Sequence, residues 1–178
     1  KAGSNTQNIR SLNNYTGDTL INGGTVNLTD NGRLSATNAV SVNYAALALL
    51  NSGLYGEDDR LNDSAVITLR GGNLSMTGRE NTQSVETVGA IILDQGQNNL
   101  TVTLGGGAVR SAVLSTGNLT QNNYATLLFG GAGGQLGSAA RLMIANGSSF
   151  LVNGIIPWAT DGTNFAGYET PGAGNISG

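Results

Sequence analysis

The chain has no cysteine and no histidine, and only two prolines and one tryptophan among 178 residues. Without cysteine, disulfides and cysteine-based zinc sites are excluded; the compartment stays open, because a protein without thiols is tolerated anywhere. Without histidine, the usual general base near neutral pH is missing. Charged residues make up only 11%, which argues against a helical protein rich in Glu, Lys and Ala. A net charge of −3 gives no basic footprint for nucleic acid. No apolar run approaches the about 18 residues that span a bilayer, so no direct membrane insertion is expected. The first residues lack the charged and apolar regions of a signal peptide, so export would depend on signals outside this chain.

What is present is glycine, 28 residues of it, together with abundant Asn and Thr. Apolar residues alternate with small polar ones, break at a glycine turn, and resume. The phrase reads Thr19-Leu-Ile-Asn-Gly-Gly-Thr-Val-Asn-Leu28 and returns as Ile67-Thr-Leu-Arg-Gly-Gly-Asn-Leu-Ser-Met76. Looser copies run from Ile91 to Val102 and from Leu142 to Val152. Gly24, Gly72, Gly96 and Gly147 mark the register, and weaker strand-turn-strand passages fall around Tyr44 and Gly117. A bend thus recurs every ~21 to 29 residues, the interval of solenoids and propellers. Period-2 alternation argues strand, because side chains change face at each residue only in an extended chain. The expected fold is all-β: a parallel β-solenoid with two or three strands per coil, burying one narrow aliphatic core. Aromatics at 5% suit such an interior. Residues 1–150 are read as coils, and 151–178 as a closing or linking segment of the same domain. Asparagines at equivalent turn positions are expected to stack, each amide bonding to the next rung. That stacking and composition account for the eight Asn-x-Ser/Thr sequons more simply than glycosylation does.

Lys1-Ala-Gly-Ser-Asn-Thr6, Asn14-Tyr-Thr-Gly-Asp-Thr19 and Ile21-Asn-Gly-Gly-Thr-Val-Asn-Leu28 resemble the autotransporter-associated β-strand repeat. The chain departs from that pattern at Ser4-Asn5 and in the polar stretch from Gln7 to Leu12. Trp158-Ala-Thr-Asp-Gly-Thr-Asn-Phe-Ala-Gly-Tyr168 is similar to passages of giant bacterial surface proteins that reuse the module in tandem. The resemblance implies a right-handed parallel β-helix, here of about six to seven coils. It also implies export within a long extracellular or outer-membrane passenger, and no catalytic residues or cofactor.

Two clusters are candidate sites. Glu57, Asp58, Asp59 and Asp63, with Arg60 among them, would bind Ca²⁺, or act as acid and base on a polysaccharide. The plainer reading is a solvated loop in which Arg60 neutralises one neighbour. Glu86 and the other acids are read as isolated, mostly at turns. Trp158, Phe165 and Tyr168 would form a sugar-stacking platform, or else an aromatic staple over the side or end of the solenoid. The glycine runs Gly105-Gly-Gly107 and Gly130–Gly134 read as turns, since neither precedes Lys-Ser/Thr or a helix.

The expected role is structural: a stalk, spacer or end-to-end fibre unit on the cell surface, with neighbouring copies or tandem modules as partners. The alternative is an adhesin for extracellular glycans or surface proteins, and a polysaccharide lyase or hydrolase comes last. An uncovered terminal rung would invite another strand, and sealed ends would exclude that stacking.

Overall fold

A computed structural model describes residues 1–108, 111–130, 139–169 and 175–177. It is an all-β solenoid of parallel stacked strands, with about four turns. The first face is a five-stranded ladder of β2 (Thr19–Asn22), β4 (Ala39–Asn43), β6 (Val66–Arg70), β9 (Ile91–Gln95) and β12 (Leu119–Gln121). The second face stacks seven parallel strands: β1 (Thr6–Ile9), β3 (Thr25–Thr29), β5 (Ala46–Leu50), β7 (Asn73–Thr77), β10 (Gln97–Thr103), β13 (Thr126–Gly130) and β15 (Ile156–Thr160). A third face carries β8 (Gln83–Val88), β11 (Ser111–Thr116) and β14 (Ala140–Ile144).

The alternation seen in the sequence becomes columns. On the first face Val40, Ile67, Ile91 and Leu119 stack rung upon rung, beside Ile21, Val42, Leu69 and Leu93. On the second face the column Val26, Leu47, Leu74, Leu100, Phe129 runs beside Leu28, Leu49, Met76, Val102. All are buried, and each Leu or Ile removed from water contributes about 1.5–3 kcal/mol. The same strands turn Asn, Ser and Thr outward. There the amides pair across rungs: Asn27 with Asn8 at 2.8 Å, Asn43 with Asn22 at 2.7 Å, and Asn99 with Asn73 at 2.5 Å.

The third face differs along the rod. In the first coils the connecting segments are polar and rich in turn formers, and only isolated bridges join Leu12 to Arg33 and Leu34 to Leu61. Of the leucines in these segments Leu34 and Leu61 are fully buried, whereas Leu12 and Leu54 are exposed. From β8 onward, full strands form, so both of the strand counts left open by the spacing occur in one molecule.

One strand reading is corrected. The passage from Leu142 to Val152 does not resume as a strand after Gly147; Gly147–Phe150 forms a single 3₁₀ turn. Ser149 bonds back to the Asn146 carbonyl through both its N–H (3.0 Å) and its Oγ (2.6 Å), which curls the chain. Gly147 also lies under the Tyr168 ring, where a Cβ would come within 2.0 Å of it. Of the glycine runs, Gly105–Gly107 lies between strands as expected, whereas 131–134 falls outside the described residues.

Candidate functional site

The acidic loop lies between β5 and β6, and the structure sends its carboxylates to different places. Glu57 pairs with Arg33 at 3.2 Å. Asp58 accepts the Val85 N–H at 3.0 Å, capping the neighbouring rung. Asp59 and Asp63 face solvent. Among the described residues, no three or more acidic side chains gather where they could hold a metal.

Arg60 is a correction to the sequence reading. It is fully buried and does not neutralise a loop neighbour in solvent. Its Nε donates to Asn51 Oδ1, Nη1 to the Gly32 carbonyl and Nη2 to the Leu50 carbonyl, each at 2.8 Å. One guanidinium thereby closes its own loop onto Leu50 and Asn51 and ties it to the preceding coil at Gly32, using a planar fork of donors that lysine lacks. Burial lowers the Arg60 pKa from its ordinary value, while Glu86 and Glu57 pull it back up.

Glu86 is the second correction. It sits inside β8, not at a turn, and is 1% exposed. Its rung partners are Leu114 and, beyond that, Leu142, so a carboxylate occupies a leucine column. Its two oxygens accept the N–H groups of Arg60 (3.0 Å) and Leu61 (2.9 Å). The carboxylate thus replaces the missing strand partner of a segment that is too irregular to pair with β8. Burial pushes its pKa up to about 7, outweighing the two backbone donors and the Arg60 charge that favour the ionised form. The alternation Ser84-Val85-Glu86-Thr87-Val88 puts Glu86 in phase with Val88 and so inward, which is the signal in the sequence for its burial.

The aromatic segment divides. Trp158 is partly buried and meets Phe150 edge to face, ring centroids 5.2 Å apart. Tyr168 packs on the core and donates its hydroxyl to the Ile144 carbonyl at 3.3 Å. Phe165 is 55% exposed.

These aromatics belong to the way one end is finished. Strands β16 (Phe165–Glu169) and β17 (Asn175–Ser177) run antiparallel, and they join β15 of the second face to β14 of the third. On the first face, the Asn146 side chain stands in for a peptide group. Its Oδ1 accepts the Leu119 N–H and its Nδ2 donates to the Leu119 carbonyl, both at 3.0 Å. The edges beyond β14 and β15 are thereby occupied, and that of β12 is covered at Leu119. At the other end, Lys1 and Ala2 cover part of the β2 edge, whereas β1 pairs only with β3 among the described residues.

A hollow of about 320 Å³ opens where the loops after β5, β7 and β10 stack, lined by Asn51, Gly53, Arg79, Glu80 and Gly105. Arg79 is engaged there in a second stitch, donating to the carbonyls of Gly53 (3.2 Å) and Leu54 (3.3 Å). Compared with family models, curated proteins and solved structures, the chain matches none.

Proposed function

We propose that this chain is a structural β-solenoid module of a large exported bacterial surface or extracellular fibre protein, of the autotransporter-associated repeat type, working as a stalk or spacer. The observation that supports it most is the second face, where seven parallel strands stack in one ladder over buried aliphatic columns. Each rung adds about 4.8 Å and a new set of backbone hydrogen bonds, so the ladder forms a stiff rod of about 30 Å. Right-handed winding belongs to the same reading, because parallel crossover connections take that hand in about 98% of cases.

In this role the partner is a further coil, of a tandem module or of another copy, added at the β1 edge. The closed end at β16 and β17 disfavours head-to-tail polymerisation. The role needs no catalytic residue, cofactor, nucleic acid or inserted membrane segment. It places the module outside the cell, exported by signals that lie elsewhere.

Negative-stain electron microscopy over a concentration series tests the proposal. Discrete rods of about 30 Å at every concentration are expected. Filaments with an axial repeat near one module would replace the spacer by a self-assembling fibre, and irregular particles would remove the rod altogether. A second reading, an adhesin for glycans, is favoured by a single feature: two exposed tyrosines on one corner of the rod.

A further inference from the structure

Where the first face turns into the second, every rung needs a left-handed backbone. Three rungs meet that need with glycine: Gly23 and Gly24 at φ 90° and 69°, Gly71 at 57°, and Gly96 at 69°. The other two use tyrosine, Tyr44 at φ 45° and, directly after Asn123 at φ 47°, Tyr124 at φ 55°. A bulky side chain is strongly disfavoured there, and glycine would relieve the strain. Both rings are nevertheless displayed, Tyr44 at 71% and Tyr124 at 96% exposure. No buried packing compensates for Tyr124.

The corner between them is built to be approached. One edge of the Tyr44 ring lies over Gly71, where a Cβ would come within 2.9 Å of it, and the Tyr44 hydroxyl accepts a hydrogen bond from Gln95 Nε2 at 2.9 Å. That pins the ring while leaving most of it in solvent. Beside it a shallow hollow of about 370 Å³ is floored by Gly24, Gly71 and Ala46 and rimmed by Thr25 and Asn73. Amides border the corner on both sides, Asn22 and Asn43 on the first face, Asn73 and Asn99 on the second. Between the two tyrosines Arg70 Nε meets Asp94 Oδ2 at 2.6 Å, while the Lys1 ammonium lies one rung outside them, beside Gly24, donating to the Gly3 and Gly23 carbonyls at 2.7 and 3.0 Å. Tyr44 and Tyr124 stand three rungs apart, about 14 Å along the rod at the usual inter-strand spacing.

We propose that this corner is a binding strip for a neutral oligosaccharide, with Tyr44 and Tyr124 as stacking platforms at its two ends and the amide rows as hydrogen-bonding rails. Flat rings with polar tips, shallow glycine floors and paired amides suit sugar rings, which present apolar faces and hydroxyl edges. Arg70, paired with Asp94 between the two tyrosines, is not free to hold the carboxylates of an acidic polysaccharide. The strip goes beyond the stalk role and is separate from the aromatic segment around Trp158.

The test uses the full chain with Tyr44→Gly, Tyr124→Gly and the double variant, each substitution placing glycine where the backbone already favours it. Isothermal titration with cellohexaose, chitohexaose and mannohexaose, with an oligogalacturonate as the acidic comparison, reads binding. At least one neutral oligomer is expected to bind, and the double variant is expected to weaken it at least about tenfold, about 1.4 kcal/mol. Phe165→Ala is expected to leave binding unchanged. Circular dichroism and micrographs of the variants must still show folded rods, so failure of the strip is distinguishable from failure of the solenoid. The proposal is overturned if no neutral oligomer binds, if only the oligogalacturonate binds, or if the double variant binds as well as the parent chain. It is equally overturned if the substitutions abolish a dimer instead, which would make a second copy the occupant.

Discussion

Glu86 makes the stability of this solenoid depend on pH in a direction opposite to that of most carboxylates. Its pKa stands at about 7 in the folded chain against an ordinary 4.5, because burial disfavours the charged form. Between those values the folded state keeps a proton that the unfolded state has lost. Folded molecules therefore bind more protons, and the free energy of unfolding falls as pH rises. The contribution is fully present below about pH 4.5 and is lost by somewhat above pH 7. At about 1.4 kcal/mol per pH unit it amounts to about 3 kcal/mol, a large part of a domain's usual margin. The chain has no histidine, the side chain whose ordinary pKa falls in this window. Urea unfolding at pH 5, 6, 7 and 8, followed by far-UV circular dichroism and by Trp158 fluorescence, measures the slope. A repeat protein can unfold in parts, so a single slope is read only where the two signals coincide. Glu86→Gln removes the titration. Its amide oxygen accepts one backbone N–H while its NH₂ faces the other, a cost of about 1–3 kcal/mol that does not vary with pH. The expected result is a falling line for the parent chain and a flat one for the variant. A parent chain equally stable at pH 5 and pH 8, or a Glu86→Gln line with the parent slope, would refute the burial argument.

Other substitutions address the remaining devices. Arg60→Ala leaves the Gly32 and Leu50 carbonyls without their donor and Glu86 without its cation; a loss of about 3–5 kcal/mol in urea unfolding is expected. Gly147→Ala drives a methyl group into the Tyr168 ring and should cost about 1–3 kcal/mol, with faster hydrogen exchange at β16 and β17. Asn146→Ala opens the β12 edge by removing both bonds to Leu119, and a drop of about 1–2 kcal/mol is expected by thermal melting. Tyr124→Gly runs the other way. Relief of a left-handed tyrosine should raise stability by up to about 1–2 kcal/mol, and a lowered melting temperature would show that the ring has a structural role.

The sequence by itself determined the solenoid and its inner and outer faces. Alternation puts Val40 and Val42 inward and Ser41 outward whatever the rest of the chain does, because side-chain direction in a strand is a local property. Glycine punctuation set the corners, and the recurring Asn positions foretold the amide pairs of Asn22 with Asn43 and Asn73 with Asn99. Tertiary structure alone decided what depends on rungs about 25 residues apart. Arg60 looked like a loop cation because its run, Glu57 to Asp63, is polar; only the fold of its loop back onto Leu50 and Asn51, with Gly32 one rung away, surrounds the guanidinium with acceptors. Glu86 could be placed inward by alternation, but its task, serving the N–H groups of Arg60 and Leu61, exists only because that segment fails to form a strand one rung away. The closed end depends likewise on antiparallel pairing of β16 and β17, where the chain reverses direction after a long run of parallel coils. Local pattern fixes which way a residue points, whereas its partner is set by the register between coils, which local sequence does not encode.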